Sequence, residues 1–529
     1  MGSSPTVITE GSAAYTHLID SRPWYRNRRL IILNFWISIM QVSEHILMFV
    51  TSYTYGFDDG LQSLTQWNEA FGYPAGGKLG LLNAIQNIGT LCAYPFAPYM
   101  SDGMGRRFSI AFGASVMVAA TVIQTASNSV QMFIGARFLV GFGLTFAASA
   151  APLLVHEVAY PSHRSQASSM YVSLWFLGSI VAAWSTYGTF TIQNSWAWRL
   201  PSALQGVSSL IQVLLIWFVP ESPRWLVSKG KEERALQVLA YYHANGNAQD
   251  PLVQYELEEI KAAIAFDREV AGNVGWLSLI KTPGNRKRLR LAIAIVVFSQ
   301  WSGNGLIAYY LNKVLIAIGI TNPKTQLLLN GALNTYNFFV TITAGFNSTR
   351  VGRRPLLLTS CTGMVVFWTA QTICFSIHQS TGSIAAGNAV VAFIFLFYTS
   401  YNIAFPPLLA SYPVEIFPYP LRAKGYMVAN FMMTLSLIFN QYVNPIALEA
   451  LQWKYYLVYI AWLCFELVFC YFFIVETKNR TLEETAAIFD GEEGVARIYD
   501  KAAAHAGLTH RISTEEKDMK SDFAVAMTD

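Results

Sequence analysis

Apolar runs long enough to cross a bilayer recur along this chain, and one polar stretch, 220–290, divides them. A helix needs about 20 apolar residues to span the hydrocarbon core. Within 220–290 charges crowd together: Glu221, Arg224, Lys229, Lys231, Glu232, Glu233 and Arg234, then Lys281, Arg286, Lys287, Arg288 and Arg290. Lipid cannot host that composition. The stretch is therefore expected in water, joining two membrane-embedded halves. Scanning at the bilayer length gives about twelve spans. They are 31–55, 79–100, 108–126, 130–155, 167–187 and 200–219, then 291–318, 327–346, 355–377, 387–412, 425–447 and 455–475.

Composition agrees. Of 529 residues, 53% are hydrophobic and 13% charged, where a soluble domain carries about a quarter charged. The fold class is all-α and membrane-embedded. The net charge of +4 comes from basic residues at the ends of apolar runs, which excludes a nucleic-acid partner. Cys92, Cys361, Cys374, Cys464 and Cys470 all lie inside apolar segments and make no disulfide framework. No metal cluster, nucleophile elbow or phosphate loop points to an enzyme, a metal or a cofactor. Residues 1–29 lack the apolar core of a cleavable signal, so the first span is expected to do the targeting.

Lysine and arginine sort the connections. Arg22, Arg26, Arg28 and Arg29 precede the first span; Arg106 and Arg107 follow the second, and Arg164 the fourth. The stretch 220–290 follows the sixth, Arg350, Arg353 and Arg354 the eighth, and Arg422 and Lys424 the tenth. The alternate connections are nearly bare, with Lys78, Lys324 and Lys454 among the scattered exceptions. Both termini are therefore expected in the cytoplasm. The parts read as a cytoplasmic segment 1–29, a six-helix bundle 30–219, a helical linker 220–290, a second bundle 291–475 and a cytoplasmic tail 476–529. Within the linker, 231–244 and 252–266 show helical spacing, with Leu236, Leu239, Leu252, Leu257 and Ile260 as a buriable stripe.

Two patterns occur twice. Gly105-Arg106-Arg107 after the second span matches Gly352-Arg353-Arg354 after the eighth. Glu157 with Arg164 after the fourth matches Glu415 with Arg422 after the tenth. The recurrence marks the halves as duplicates of one topology. Glycine supplies a turn, and arginines at a helix edge bridge a carboxylate or a helix carboxyl end. Any one cluster could be a mere positive-inside anchor; the repeated set points to a structural gate.

With these residues in hand, the chain resembles the sugar porter family of the major facilitator superfamily. The likeness rests on Asp102-Gly103-Met104-Gly105-Arg106-Arg107, on Arg137, and on Pro220-Glu221-Ser222-Pro223-Arg224-Trp225-Leu226. It continues in Val351-Gly352-Arg353-Arg354-Pro355, Glu415 with Arg422, and Val475-Glu476-Thr477-Lys478. Gln300-Trp301-Ser302-Gly303-Asn304-Gly305 and Asn440-Gln441-Tyr442-Val443-Asn444-Pro445 look most like fungal lactose and cellodextrin permeases. The resemblance implies the major facilitator fold, with two six-helix bundles rocking about a central site and a cytoplasmic gate. That gate would draw on Asp102, Arg106, Arg107, Glu157, Arg164, Glu221, Arg224, Arg353, Arg354, Glu415, Arg422 and Glu476. Thr349 stands where the family usually has aspartate, and Ala410 replaces a tryptophan common in monosaccharide porters, which would widen the pocket.

An ionisable residue inside a span is a functional hypothesis by default. Arg137 is one, and the resemblance gives it Asp58 as a proton-exchanging partner; a static ion pair is the plainer alternative. Hydropathy ends the first span near Tyr55, whereas the family register puts Asp58 inside a helix running towards Trp67. For substrate, polar side chains in apolar spans are the candidates. They are Gln300, Asn304, Tyr309 and Tyr310 with Trp301 alongside, Asn337 by family register, and Asn440, Gln441 and Trp175. For the last three, helix–helix hydrogen bonds are an equal alternative. Gly303 and Gly305 weaken the seventh span where a transporter helix must bend. The expected protein is a monomeric plasma-membrane sugar–proton symporter for a hexose or β-linked disaccharide. A proton-independent facilitator, a polyol or quinate carrier and a non-transporting sugar receptor are the rivals.

Overall fold

The computed structural model describes residues 62–160, 175–273, 275–348, 351–417, 419–478 and 488–489. Among these it contains helices and no strand. A short α1 (Thr65–Phe71) precedes α2 (Gly76–Ala93), α3 (Ala97–Met104), α4 (Arg106–Thr125), α5 (Val130–Val158), α6 (Trp175–Thr189) and α7 (Trp196–Leu215). The polar stretch forms α8 (Pro223–Ser228), α9 (Glu232–His243), α10 (Pro251–Asn273) and α11 (Ser278–Lys281). Then come α12 (Pro283–Trp301), α13 (Asn304–Ala317), α14 (Pro323–Ser348), α15 (Arg353–Thr381), α16 (Ile384–Ile416), α17 (Tyr419–Leu451) and α18 (Tyr455–Phe473).

The expected spans after the first fall on these helices, or on a pair (79–100 on α2 and α3, 291–318 on α12 and α13), with 167–187 described only from residue 175. The first span lies outside the described residues. Seven stretches among the described residues are long and apolar enough to cross a membrane, the last of them holding both α17 and α18. The polarity is that of a lipid-solvated protein. Val122, Leu214, Phe339, Val366 and Phe472 face outward, while Gln205, Gln212, Ser209, Asn330 and Gln371 are buried. In lipid the outer face gains nothing from being polar, and interior polar groups bond across helices instead.

Two boundaries moved. The helix expected to run from Asp58 to Trp67 is interrupted, because Leu64 is extended (φ −82, ψ 119) and Trp67 sits on the separate α1. The seventh span starts earlier than hydropathy places it. Pro283 occupies the first turn of α12 and Thr282 caps it, its Oγ1 accepting from the Asn285 N–H at 3.2 Å. Proline costs nothing there, since a first-turn N–H has no helical partner. The basic cluster Arg286–Arg290 is thus the first turns of α12 rather than a connection.

In the first half α4 and α2 pack on α5, and α7 on α4; in the second α16 packs on α15 and α14, and α12 on α17. The halves meet where α2 lies along α17 and α6 along α14. The linker folds on itself through Leu226, Val227, Ala235, Leu239, Ala240, Val253 and Leu257. It is pinned to the first half by buried His243. One ring nitrogen lies 2.6 Å from Glu256 Oε2 on α10, the other 3.2 Å from the Val158 carbonyl that ends α5.

Close helix crossings depend on small residues. A Cβ at Gly141 of α5 would overlap the Gln86 carbonyl oxygen of α2, whereas at Gly135 it would meet nothing within 4 Å. Gly141→Ala is therefore expected to lower the thermal midpoint of the detergent-solubilised protein by several degrees, a loss of about 1–3 kcal/mol. Gly135→Ala should leave it level or raise it slightly, because alanine is the better helix former. Equal midpoints for the two variants would contradict this packing.

Candidate functional site

At the end of the molecule that carries the paired arginines, each half builds the same cluster. The backbone N–H groups of Arg106 and Arg107 open α4, and both donate to Glu221, at 3.2 Å and 3.3 Å. Those of Arg353 and Arg354 open α15 and donate to Glu476, at 2.9 Å and 3.1 Å. A helix amino terminus presents unpaired donors and a partial positive charge, and a carboxylate satisfies both. The repeated glycine follows from this. A Cβ at Gly105 or at Gly352 would collide with the Glu221 or Glu476 carboxylate. Only Gly105, at φ 106, also needs the left-handed backbone.

The arginine side chains repeat the symmetry. Arg106 Nε lies 3.5 Å from Glu157, and its Nη1 donates to Asp102 at 2.7 Å. Arg353 grips Glu415 with two nitrogens, at 2.9 Å and 3.3 Å, and the Thr477 hydroxyl donates to the same carboxylate. Arg107 donates to the Trp217 carbonyl and Arg354 to the Tyr471 carbonyl, each at the end of the last helix of its half. Glu157 therefore meets Arg106, a pairing the Glu157–Arg164 spacing did not suggest. Arg164 lies outside the described residues. Ser222 caps α8 by accepting from the Trp225 N–H, Pro223 and Arg224 fill its first turn, and the Trp225 indole donates to the Asp102 carbonyl. Arg422 lies near the start of α17.

In the first helices of the second half the seventh span breaks. Ser302 ends α12, Gly303 takes φ 98, and α13 restarts at Asn304. The expected polar residues gather on this break. Asn440 of α17 donates to the Gln300 carbonyl at 2.7 Å, and Asn444 donates to Asn440. Tyr398 and Tyr401 of α16 donate to the carbonyls of Asn304 and Ser299. Asn337 of α14 accepts from Asn402 of α16 at 3.0 Å. Gln441 accepts from Asn87 of α2 at 2.7 Å, and Tyr310 links Asn83 to the Gln441 carbonyl, so both halves contribute. Asn304 Oδ1, Asn402 Oδ1 and Gln441 Nε2 are buried with no hydrogen-bond partner among the described residues.

Two expected residues stand apart from this group. Trp301 is packed against Phe439, ring centroids 4.8 Å apart, and against Trp462, and its indole N–H is taken by the Ser436 carbonyl. Tyr309 belongs to an apolar cluster with Leu64, Trp67 and Phe71. Trp175 begins α6, and its side chain is outside the description. Arg137 is buried in α5, its guanidinium 5.9 Å from the Phe133 ring centre. Asp58 lies outside the described residues.

A family model described as sugar (and other) transporter matches residues 42–489. The chain belongs to that family. It is a multi-pass membrane transporter, not an enzyme. The MFS-type transporter oryC of Aspergillus oryzae is 28% identical to it, over 85% of this chain and 84% of its own. The hexose transporter HXT10 of Saccharomyces cerevisiae is 30% identical, with 78% and 76% covered. The xylose transporter XylE from E. coli, solved in an inward-open conformation, matches at a TM-score of 0.70 and 20% identity, over 86% of this chain and 100% of that one. The transporter therefore has the major facilitator fold.

Sequence reasoning missed Asn83, Asn87, Tyr398, Tyr401 and Asn402. Polar residues one turn apart within apolar spans were the available signal, as in Tyr398 with Asn402.

The two caps differ in charge balance. Burial pushes the Glu221 carboxyl above its ordinary 4.5, although the Ser222, Arg107 and Arg106 amides and the Arg107 charge pull it down. At Glu476 burial also acts upward, but the amides of Lys478, Arg353, Arg354 and Thr477 outweigh it and hold it below 4.5. A raised acid binds its proton more readily folded than unfolded. Glu221's contribution is thus present below pH 4.5 and lost as pH rises through its folded value. Glu476's is present above pH 4.5 and lost as pH falls through its lower folded value. Glu221→Gln should flatten the curve of thermal midpoint against pH just above 4.5, and Glu476→Gln below it. Flattening on the same side in both variants would refute the assignment.

Proposed function

We propose that this transporter is a plasma-membrane sugar–proton symporter, moving a hexose or a β-linked disaccharide by alternating access. The carrying observation is the pair of buried amide atoms without partners among the described residues, Asn304 Oδ1 and Gln441 Nε2, at a broken helix where both halves meet, with a third, Asn402 Oδ1, on the amide bonded to Asn337. Buried polar atoms seek partners, and sugar hydroxyls both donate and accept. Gln300, Asn337 and Asn440 complete that site. HXT10 is a hexose transporter and XylE was solved as a proton:xylose symporter, which supports the substrate class.

The basic connections face the cytoplasm, and so do both termini. There the Glu221 and Glu476 caps, with Arg106–Glu157 and Arg353–Glu415, form the two faces of a gate that also takes in Asp102, Arg107, Arg164, Arg224, Arg354 and Arg422. Asp58 exchanges a proton against Arg137. An arginine nearby favours the carboxylate, and separation with desolvation favours the acid, so protonation and opening are linked.

Uptake of radiolabelled glucose, lactose and cellobiose in a transporter-deficient yeast tests the reading, with and without a protonophore. Asn304→Ala and Gln441→Ala should each raise KM about tenfold, the loss of one or two buried hydrogen bonds. Asp58→Asn should abolish protonophore-sensitive uptake. Insensitive uptake that survives Asp58→Asn would make the protein a facilitator. No uptake of any of the three by surface-expressed protein would sink the sugar reading.

A further inference from the structure

Helix α18 carries one charged residue, Glu466, and it is 0% exposed. A carboxylate in the middle of a spanning helix is expensive unless paired or neutral. Among the described residues no lysine, arginine or histidine makes an ion pair with it. The titratable groups that face it are Cys361 of α15, whose sulfur is 3.9 Å from Oε1, Cys470 on its own helix, and Tyr401 of α16. Tyr401 spends its proton elsewhere, on the Ser299 carbonyl.

The remaining neighbour is Ser302, and its hydrogen bonds can be counted. Ser302 Oγ lies 2.5 Å from the Phe298 carbonyl, 2.9 Å from Glu466 Oε2 and 3.1 Å from Oε1. A hydroxyl has one proton to donate. One proton cannot serve all three: with a bare carboxylate, Ser302 donates to Glu466 and leaves the Phe298 carbonyl; with the proton on that carbonyl, the closest contact, Ser302 Oγ accepts and a protonated carboxyl group completes the bond.

We propose that Glu466 is a proton-binding site of the second bundle, and that its bound proton fixes the bend of the α12–α13 helix. Ser302 is the last residue before Gly303 at φ 98, and Gln300 and Asn304 stand on either side of it. Gly303 is wedged against the Trp368 ring, so the break has little room to shift without releasing Ser302. When the proton leaves Glu466, an O–H bond is lost and a bare charge remains in a dry interior. That charge keeps only the weak Cys361 S–H contact unless Ser302 turns its own proton from Phe298 or water enters, and either change alters what holds the break. Glu466 is a positioning residue, acting on substrate through Ser302. Its link to transport rests on the symport reading above; its protonation does not.

The full-length protein in nanodiscs, in D2O near neutral pH, is examined by infrared difference spectroscopy between wild type and Glu466→Gln. A protonated-acid C=O stretch present in the wild type and missing from the variant is expected. The same band in both would overturn the proposal. Binding of glucose and of cellobiose, read by tryptophan fluorescence, is then followed against pH. Wild type and Glu466→Asp should lose affinity about tenfold or more on the alkaline side. Glu466→Gln, which keeps a neutral donor to Ser302, should hold its acid-side affinity to within about twofold throughout. A Gln profile superimposable on wild type would overturn the proposal. If neither sugar binds any form, the substrate reading has failed, and the infrared band alone decides Glu466.

Discussion

A helix inside a bilayer has no water to fall back on, so a break in it must be repaired by neighbouring side chains. The interruption at Ser302-Gly303 frees carbonyls at Ser299 and Gln300. Tyr401 and Asn440 take them up, from two different helices, and Tyr398 adds a bond to the Asn304 carbonyl where the helix restarts. The amides and phenols around the centre are therefore structural first. They hold a bent helix open, and their unused atoms are what a polyhydroxylated ligand would meet. This is why the polar groups of the second half converge on one place, and why the first half reaches in with Asn83 and Asn87 to join them.

The duplicated clusters at the other end follow from the same rule applied to helix starts. Helices α4 and α15 begin at the edge of the membrane with unpaired N–H groups. A distant carboxylate closes each. The arginine side chains then have carboxylates and carbonyls of their own half within reach, so each half is held together by interactions that do not need the other. The two copies are not equal: burial dominates at Glu221, and backbone donors dominate at Glu476.

Much of this was legible from residues alone. The spans follow from length and hydropathy, the repeat from Gly-Arg-Arg, and the break from Gly303 and Gly305. What sequence could not supply was azimuth. Trp301 adjoins Gln300, but consecutive residues on a helix point about 100° apart, which turns the tryptophan towards Phe439 and Trp462. Tyr309 and Tyr310 share one apolar cluster, from which the Tyr310 hydroxyl reaches Asn83 and the Gln441 carbonyl. Asn402 and Tyr398 sit in an apolar run whose hydropathy hides them, and Glu466 lies in one so apolar that a sliding window passes over it. Glu157 meets Arg106 from a different helix, a contact that spacing along one loop does not reveal; Arg164 lies outside the described residues.

The caps carry a last implication, for biogenesis. Glu221 lies 115 residues downstream of the amide it closes at Arg106, and Glu476 lies 123 downstream of Arg353. As each half is threaded into the membrane from its amino end, α4 and α15 enter long before their carboxylates have been synthesised. Their first turns must wait, solvated by water or held by a chaperone, until the final helix of the half emerges. Each half is thus completed by its own last residues, and a chain truncated just short of either glutamate keeps every helix of that half while its edge stays unlatched.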